Sequence, residues 1–290
     1  MTASSPVPET GLSAPPDAGS DLASDLLALA ERAARAAGVE LVARAGTPQK
    51  VSTKSTPTDL VSEADRVAEA VILDMLQDAR PDDGHVGEEG ARRESRSGIT
   101  WVVDPLDGTV NYLFGDREWS VSIAAVDADG PLVAAVLEPS SGRIWTAARG
   151  RGAWCGETLL AARRTPELAD AMVLAGLSYD ATERRGQMQM FTEVVGSVRD
   201  LRRHGSAALE LCRVAEGAAD AYIESPIYRW DIDAGTLIAR EAGALVHVDE
   251  VDEVRRSVVA ATPGILNELM AVVRSSSFGS ERFDYLDVAR

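Results

Sequence analysis

The spacing of apolar residues predicts two helices before Pro81 and a series of strands directly after it. The first helix begins near Asp21, the second begins near Thr58 and Asp59, and Pro81 ends the second helix. In both segments apolar residues recur every three or four positions, which is typical of a helix with one buried face. These residues are Leu22, Leu26, Leu29 and Ala33 in the first helix and Val61, Ala64, Ala68, Val71 and Met75 in the second.

Five β-rich runs follow, and short turns separate the last three. The runs are HVGEE (85–89), ITWVVDP (99–105), WSVSIAAV (119–126), PLVAAVLE (131–138) and RIWTAARG (143–150). Turn-forming residues occupy 127–130 and 140–142. Strands joined in this way favour an antiparallel meander.

The second half of the chain alternates strands with helices. Strand patterns lie near 172–176, 220–224, 244–248 and 257–261, and helix patterns lie near 182–196, 206–217, 231–242 and 264–273. The sequence therefore predicts a mixed α/β (α+β) fold in which helices and sheets form layers.

A single catalytic domain is predicted over residues 21–274, with a metal-binding half at about 21–155 and a second half at about 156–274. Residues 1–20 are rich in Pro, Ser, Gly and Ala and have no apolar period, which predicts a disordered tail. Residues 275–290 carry scattered charge without a period, so they are predicted to be loosely ordered.

The net charge argues against nucleic acid and anionic membranes as binding partners. The chain has 46 acidic and 29 basic residues and a net charge of −17, which repels nucleic acid and anionic membranes. Cys155 and Cys212 are too few for a disulfide scaffold and are expected to be buried thiols. Without a long apolar run or a leader-like segment, a cytoplasmic location is expected.

WVVDPLDGT is the segment with the clearest chemistry. An apolar strand leads into Asp104, and Pro105 forces a turn that presents Asp107 next to Gly108 and Thr109. Two carboxylates and the Leu106 carbonyl form an all-oxygen set that suits Mg²⁺. Gly108 lets the backbone approach a phosphate closely, so one loop can hold metal and phosphate together.

Other candidate residues have simpler readings when they are taken singly. Glu88, in VGEEG, could belong to a solvated acidic turn, and Asp231 could merely cap a helix. The helix that starts at Gly205 and Ser206 could satisfy its own amides or a phosphate. Glu224 lies at a predicted strand end. The bare D-x-x-D spacing is common, so the interpretation depends on these segments occurring together.

Taken in order, GEE, WVVDPLDGTVN, HGSAALELC, ADAYIE and RWDIDAG resemble the inositol monophosphatase family, and bacterial members in particular. The resemblance covers roughly residues 21–273. It departs from the family at Asp116–Trp119 and in DEVDEVRRS (249–257), which puts substrate preference and assembly in doubt rather than chemistry.

The resemblance implies a layered αβαβα sugar-phosphatase fold, shared with fructose-1,6-bisphosphatases, and usually a homodimer. It implies hydrolysis of inositol-1-phosphate with two or three Mg²⁺ ions, and inhibition by Li⁺. The implied metal ligands are Glu88, Asp104, the Leu106 carbonyl, Asp107, Asp231 and, for a further metal, Asp65. The implied substrate contacts are Gly108, Thr109, Gly205, Ser206, Ala207, Glu224 and Asp231.

The expected mechanism agrees with simple electrostatics. Carboxylates that are brought together raise one another's pKa unless cations compensate, so the set suits more than one metal. A metal-activated water would attack phosphorus, helped by Thr109 with Asp65 or Glu88. His85, His204 and His247 are too scattered to favour a histidine mechanism.

Two alternatives remain open. The same chemistry could act on histidinol phosphate, fructose 1,6-bisphosphate or a nucleotide phosphate, because the metal loop does not distinguish them. A non-catalytic regulatory binding protein is the alternative of another class, although such a protein would be expected to lack a metal ligand.

Overall fold

A computed structural model of the protein describes residues 21–47, 50–53 and 60–283. The helices are α1 (Leu22–Arg44), α2 (Glu63–Ala79), α3 (Thr109–Phe114), α4 (Ala181–Val195), α5 (Ala207–Ala215), α6 (Arg229–Glu241), α7 (Leu266–Arg274) and α8 (Ser277–Arg282), with a 3₁₀ turn at Leu168–Asp170. The strands of the first half are β1 (Val51–Thr53), β2 (Leu60–Ser62), β3 (Gly84–Gly87), β4 (Arg92–Arg93), β5 (Thr100–Asp107), β6 (Ser120–Asp127), β7 (Gly130–Glu138), β8 (Arg143–Ala148), β9 (Ala153–Cys155) and β10 (Thr158–Leu159). The strands of the second half are β11 (Met172–Ala175), β12 (Asp200–Arg202), β13 (Ala221–Tyr228), β14 (Leu245–Glu250) and β15 (Arg255–Ala261).

The first large sheet contains eight strands in the order β10-β9-β8-β7-β6-β5-β3-β4. Strands β5 to β10 pair antiparallel in chain order, which confirms the predicted meander. Strand β3 instead runs parallel to β5 and ends at Gly87, before the two glutamates that the sequence pattern included in it. The carboxyl ends of β3 and β5 therefore lie at the same edge of the sheet.

The second sheet contains five strands in the order β12-β11-β13-β15-β14. Strand β11 pairs parallel with β12 and β13, and the remaining pairs are antiparallel. Strand β12 is too short for a recognisable pattern, and the sequence did not predict it. Strand β13 continues past Glu224 after a shift in register and does not end there as expected.

Five layers stack on one another. Successive residues of β5 to β7 face opposite sides of the first sheet. One side packs against α1 and α2, and the other packs against α5 and α6. The second sheet covers the opposite side of α5 and α6, while α4 and α7 cover its outer face. This confirms the αβαβα layered fold.

The two N-terminal helices differ in how well the pattern located them. Helix α1 begins as expected, with Asp21 accepting a hydrogen bond from the Ser24 amide at 2.9 Å. Helix α2 begins after Ser62, which is later than the start predicted near Thr58 and Asp59, so that prediction is wrong. Thr58 and Asp59 themselves lie outside the described residues. Local periodicity missed this because Leu60–Ser62 pairs with the distant strand Val51–Thr53.

Several smaller expectations are corrected. Val61 lies in β2 rather than α2, while Val71 and Met75 are only half-buried. Cys212 is buried, but Cys155 is half-buried.

The C-terminal stretch is more ordered than expected. Helix α8 occupies Ser277–Arg282, and Phe283 is fully buried against the core of the second sheet. The prediction of a loosely ordered tail is therefore wrong up to Phe283, and residues 284–290 lie outside the described residues. The tail predicted for residues 1–20 also lies outside them. Across the part of the chain that the structure describes, no helix has both the length and the apolarity needed to cross a membrane.

Candidate active site

The end of β5 brings two carboxylates to one cavity. Pairing with β6 shifts register between Asp104 and Asp107, so the strand bulges where Pro105 interrupts it. Both aspartates are buried, at 1% and 8% exposure, and both line the cavity together with Leu106. The Leu106 amide donates to Asp104 Oδ1 at 2.9 Å, which fixes the turn. The predicted metal loop is thus formed by backbone geometry.

Gly108 turns the chain from β5 into α3. Its φ of 92° lies in the left-handed region, and a Cβ at this position would lie 2.8 Å from the Glu118 carbonyl oxygen. The turn places Thr109 at the start of α3, where its Oγ1 lies 3.0 Å from Asp65 Oδ1 and 3.0 Å from the Leu106 oxygen. One hydroxyl therefore connects α2 to the metal loop.

Asp65 belongs to the first turn of α2 and does not line the cavity itself. Its Oδ2 accepts from the Ser62 amide at 2.9 Å and from Ser62 Oγ at 2.6 Å, while its Oδ1 faces Thr109. Carboxylate oxygens of Asp65, Glu88 and Glu89 lie within 4.8 Å of one another, a grouping that could hold a cation. Glu89 was not among the predicted ligands.

Asp231 enters the site from the first turn of α6. Its Oδ2 accepts from the Tyr228 amide at 3.2 Å, so the capping role considered from sequence is real, although helix α6 begins two residues earlier, at Arg229. The Asp231 carboxylate is also close enough to Asp104 to raise the pKa of that group. Capping and a place in the carboxylate set are compatible, because the second carboxylate oxygen remains available.

Helix α5 points its first turn at Asp107. Ser206 Oγ donates to Asp107 Oδ2 at 2.6 Å, and the Ala208 and Ala207 amides donate to this carboxylate at 2.8 and 3.3 Å. The predicted anion-binding helix start is therefore directed at the metal loop. Gly205, Ser206 and Ala207 all line the cavity.

Burial and mutual repulsion raise the pKa values of the carboxylates in the site. Burial, together with the charges of Glu88, Asp107 and Asp231, raises the pKa of Asp104 well above its usual range. Burial is also the main cause that raises the pKa of Asp231, and the charges of Asp107 and Glu88 raise it further. Burial also raises the pKa of Asp107 to about 6, against the lowering effect of the hydrogen bonds from Ser206 and the α5 amides. Such a set favours bound cations.

Glu224 forms the opposite wall of the site. It is 9% exposed and accepts a hydrogen bond from the Tyr222 hydroxyl. Burial raises the pKa of Glu224 to about 7. A Cβ on Gly176 would lie only 1.4 Å from Glu224 Oε2, so the glycine that ends MVLAG makes room for this carboxylate. The sequence showed this glycine but not what it accommodates.

Most of these groups line one cavity of about 820 Å³. Of the predicted site residues, only Asp65 lies off its wall, reaching the site through Thr109. The predicted residues on the wall are Glu88, Asp104, Leu106, Asp107, Gly108, Thr109, Gly205, Ser206, Ala207, Glu224 and Asp231. The wall also contains Tyr179, Arg203 and Glu210, which sequence reasoning did not select. Arg203 and Glu210 flank the start of α5 in the chain, which is the signal that could have identified them.

This arrangement of carboxylates, glycine turn and helix start matches a known family. The model of the inositol monophosphatase family matches residues 22–277. The chain belongs to this family. The resemblance noted from the five motifs is thereby confirmed.

Named relatives of the family point in two functional directions. The inositol-1-monophosphatase of Mycobacterium leprae is 40% identical over 256 residues, covering 84% of this chain and 87% of that protein. The Nus factor SuhB of Xylella fastidiosa is 35% identical over 261 residues, covering 86% and 94%. The structure of the extragenic suppressor protein suhB from Bartonella henselae superposes with a TM-score of 0.80 at 31% identity, covering 87% of this chain and 99% of that one.

Proposed function

We propose that the protein is a Mg²⁺-dependent phosphatase that hydrolyses inositol-1-phosphate to inositol and phosphate. The observation that carries the proposal is that Asp104 and Asp107 at the end of β5 and Asp231 in the first turn of α6 line the same cavity. Family membership and a relative named inositol-1-monophosphatase support a phosphatase acting on small phosphate esters.

The donor set fits magnesium. It consists of carboxylate and carbonyl oxygens, the ligands that this hard cation prefers. Burial, and after it the charges of neighbouring carboxylates, raises the pKa values of Asp104 and Asp231, so a bound cation would favour their charged forms. Magnesium would supply positive charge that stabilises the phosphoryl oxygens and the leaving alcohol. The proposed ligands are Glu88, Asp104, the Leu106 carbonyl, Asp107 and Asp231, with Asp65 near a further ion.

The chain's own groups would orient the reactants. The Thr109 hydroxyl can donate to Asp65 or to the Leu106 oxygen and can accept from a water with its lone pairs. Asp65 or Glu88 would then take the proton that the attacking water loses. The left-handed turn at Gly108 would let the amides that follow it donate to phosphate oxygens, and Glu224 would accept hydrogen bonds from the alcohol.

Further properties carry over as proposals from the family resemblance. They are a homodimer, two or three Mg²⁺ ions per site, inhibition by Li⁺ and a cytoplasmic location. Nucleic acid and membranes are not expected as partners, because the net charge of −17 repels both.

A substrate panel tests the proposal. Phosphate release is measured with and without Mg²⁺ on inositol-1-phosphate, histidinol phosphate, fructose 1,6-bisphosphate and a nucleoside monophosphate. We expect the highest kcat/KM for inositol-1-phosphate and none of these activities after chelation. A higher kcat/KM for histidinol phosphate would show that Glu224 pairs with an amine, and the substrate assignment would be wrong.

A regulatory binding role is the second candidate. It is favoured by the relative at 35% identity, the Nus factor SuhB of Xylella fastidiosa. The complete set of carboxylates on the cavity wall argues against a role without catalysis. Absence of phosphate release from every ester in the panel would favour the binding role.

A further inference from the structure

Gln187 lies on the buried face of α4 among apolar side chains. It is fully buried, and the other buried residues of this helix are Met190, Phe191 and Val194. A buried amide costs free energy unless hydrogen bonds replace those that it made to water. A methionine would fill much of the same space without that cost. The glutamine therefore needs an explanation other than packing.

Both ends of the Gln187 side-chain amide bond to backbone groups. Its Oε1 accepts from the Ser178 N–H at 2.9 Å, and its Nε2 donates to the Ser225 carbonyl at 3.0 Å. These two partners fix the orientation of the amide, because a backbone N–H only donates and a carbonyl only accepts. Arg184, three residues earlier in α4, donates from Nη1 to the Ser178 carbonyl at 2.9 Å. Helix α4 thus holds both polar groups of the Ser178 backbone.

The two segments that Gln187 joins both belong to the cavity wall. Strand β11 pairs with β13, and the Gly176 amide, directly after β11, donates to the Ile223 carbonyl at 3.2 Å. Gln187 makes the next bridge, from Ser178 to the residue that follows Glu224. Ser178 and Glu224 line the cavity. The Gln187 amide therefore sets the spacing between the loop after β11 and the strand that carries Glu224.

This spacing bears on the position of the Glu224 carboxylate. A Cβ on Gly176 would lie 1.4 Å from Glu224 Oε2, so the backbone of the loop lies directly against the carboxylate. If the loop moved away from β13, space would open into which Glu224 could turn. Asp104 and Asp107 come instead from β5 in the other sheet. A change at Gln187 should therefore reach the proposed contact with the alcohol before it reaches these metal ligands.

We propose that Gln187 is a positioning residue for substrate binding, whose amide holds the loop after β11 against β13 and so keeps Glu224 where it can bind the hydroxyl groups of the alcohol. The inference rests on the proposed phosphatase function and deepens it. Gln187 is buried and does not line the cavity, so it acts through Glu224 and not on the substrate itself.

The test compares two esters that differ in what Glu224 can bind. They are inositol-1-phosphate and phenyl phosphate, whose alcohol carries no further hydroxyl group. Mg²⁺-dependent phosphate release is measured for the wild type, Gln187→Met and the matched control Gln189→Met, which replaces an exposed glutamine of the same helix. We expect Gln187→Met to raise KM for inositol-1-phosphate about 10-fold, the scale of one hydrogen bond to a carboxylate. The kcat for this ester and the KM for phenyl phosphate should change little, and Gln189→Met should change neither KM.

Gln187→Glu provides a second variant of nearly the same shape. Burial raises the pKa of a carboxyl group, so at low pH the new side chain is protonated and can donate to Ser225 while accepting from Ser178. At high pH the carboxylate loses this donor and repels the Ser225 carbonyl. The KM for inositol-1-phosphate, divided by the wild-type KM at the same pH, should therefore rise with pH. This variant tests the inference even if Gln187→Met does not fold.

Three outcomes would overturn the inference while leaving the phosphatase intact. Equal rises in KM on both esters would show that Gln187 does not act through the alcohol. A fall in kcat on both esters with unchanged KM would show that Gln187 only stabilises the fold. Unchanged KM for inositol-1-phosphate in both Gln187 variants, at every pH, would show that Glu224 does not depend on the bridge. Absence of Mg²⁺-dependent phosphate release from inositol-1-phosphate by the wild type would instead overturn the proposed function and this inference with it.

Discussion

Two parts of the cavity wall are held in place by different contacts. The inner end comprises Asp104, Asp107 and Asp231, and the outer wall comprises Glu224 and Arg203. At the inner end, backbone amides and hydroxyls from neighbouring elements hold the carboxylates. Asp107, for example, accepts hydrogen bonds from Ser206 and from two α5 amides. On the outer wall, Arg203 is exposed and makes no polar contact with the described residues. The difference fits the proposal that the inner end carries the metal chemistry, while residues of the outer wall contact the part of the substrate that varies.

Removing a charge at the inner end should have the largest effect. Asp107→Asn keeps the shape of the side chain and one acceptor, to which the Ser206 hydroxyl and the Ala208 amide can still donate, but loses the negative charge proposed to bind metal. We expect kcat/KM to fall by at least about 10³-fold, corresponding to about 4 kcal/mol of transition-state stabilisation. The measurement is Mg²⁺-dependent phosphate release on inositol-1-phosphate.

The control for this variant is Asp78→Asn on the exposed face of α2, which removes the same charge far from the cavity wall. It should retain wild-type kcat/KM. Activity of Asp107→Asn within a few-fold of the wild type would contradict the assigned metal site.

Thr109 tests whether the inner end orients water as well as metal. Thr109→Val removes the hydroxyl that lies 3.0 Å from both Asp65 Oδ1 and the Leu106 oxygen. We expect kcat to fall about 10²-fold with little change in KM, because proton-transfer groups contribute at that scale. Thr109→Ser keeps the hydroxyl and should recover most of the rate. Equal losses in both variants would point to packing of the Thr109 methyl group rather than to its hydroxyl.

The sequence predicts a region well when its contacts join residues that are close in the chain, and poorly when they join distant residues. WVVDPLDGT is legible because an apolar strand, a proline and a glycine form the turn within nine residues. Asp65 was selected, but the start of its helix was misplaced, since β2 depends on pairing with β1. Glu89 was passed over because its amide donates to Glu69, twenty positions earlier, at 3.1 Å. Contacts of this kind leave no periodic signal.

The outer wall was less predictable for the same reason. Gly176 lies beside Glu224 where β11 pairs with β13, and the position of Arg203 on the cavity wall can be recognised only when its surroundings are known. The motifs therefore predicted the candidate metal ligands and Glu224, whereas Arg203 and the space that Gly176 leaves for Glu224 were recognised only in the structure.

Magnesium should stabilise the fold through the inner end. Buried carboxylates with raised pKa values repel one another, so a bound cation favours the folded state over the unfolded chain. At about 100 times its dissociation constant, Mg²⁺ should add about 2.7 kcal/mol, a rise in Tm of roughly 5 °C for a chain of this size. Thermal unfolding is followed after chelation and again with added Mg²⁺.

Asp107→Asn provides the comparison for this measurement, with NaCl of equal ionic strength replacing Mg²⁺ as the salt control. Its Tm should respond less to Mg²⁺ than the wild-type Tm does. An equal rise in the two proteins would mean that the cation acts elsewhere on the acidic surface.

The smallest effect is expected on the substrate wall, from Gly176→Ala. The added Cβ would lie 1.4 Å from Glu224 Oε2, so the carboxylate must move away from its present position beside Tyr222. Because Glu224 is proposed to contact the alcohol and not the metal, kcat/KM should fall about 10-fold, mostly through KM, while Mg²⁺ still raises Tm. Gly196→Ala is the matched control, since its nearest neighbour lies at 3.7 Å and its φ is −74°. If Gly176→Ala abolished both turnover and the Mg²⁺ response, the two walls of the cavity would be one structural unit, and the separation of chemistry from substrate selection would have to be abandoned.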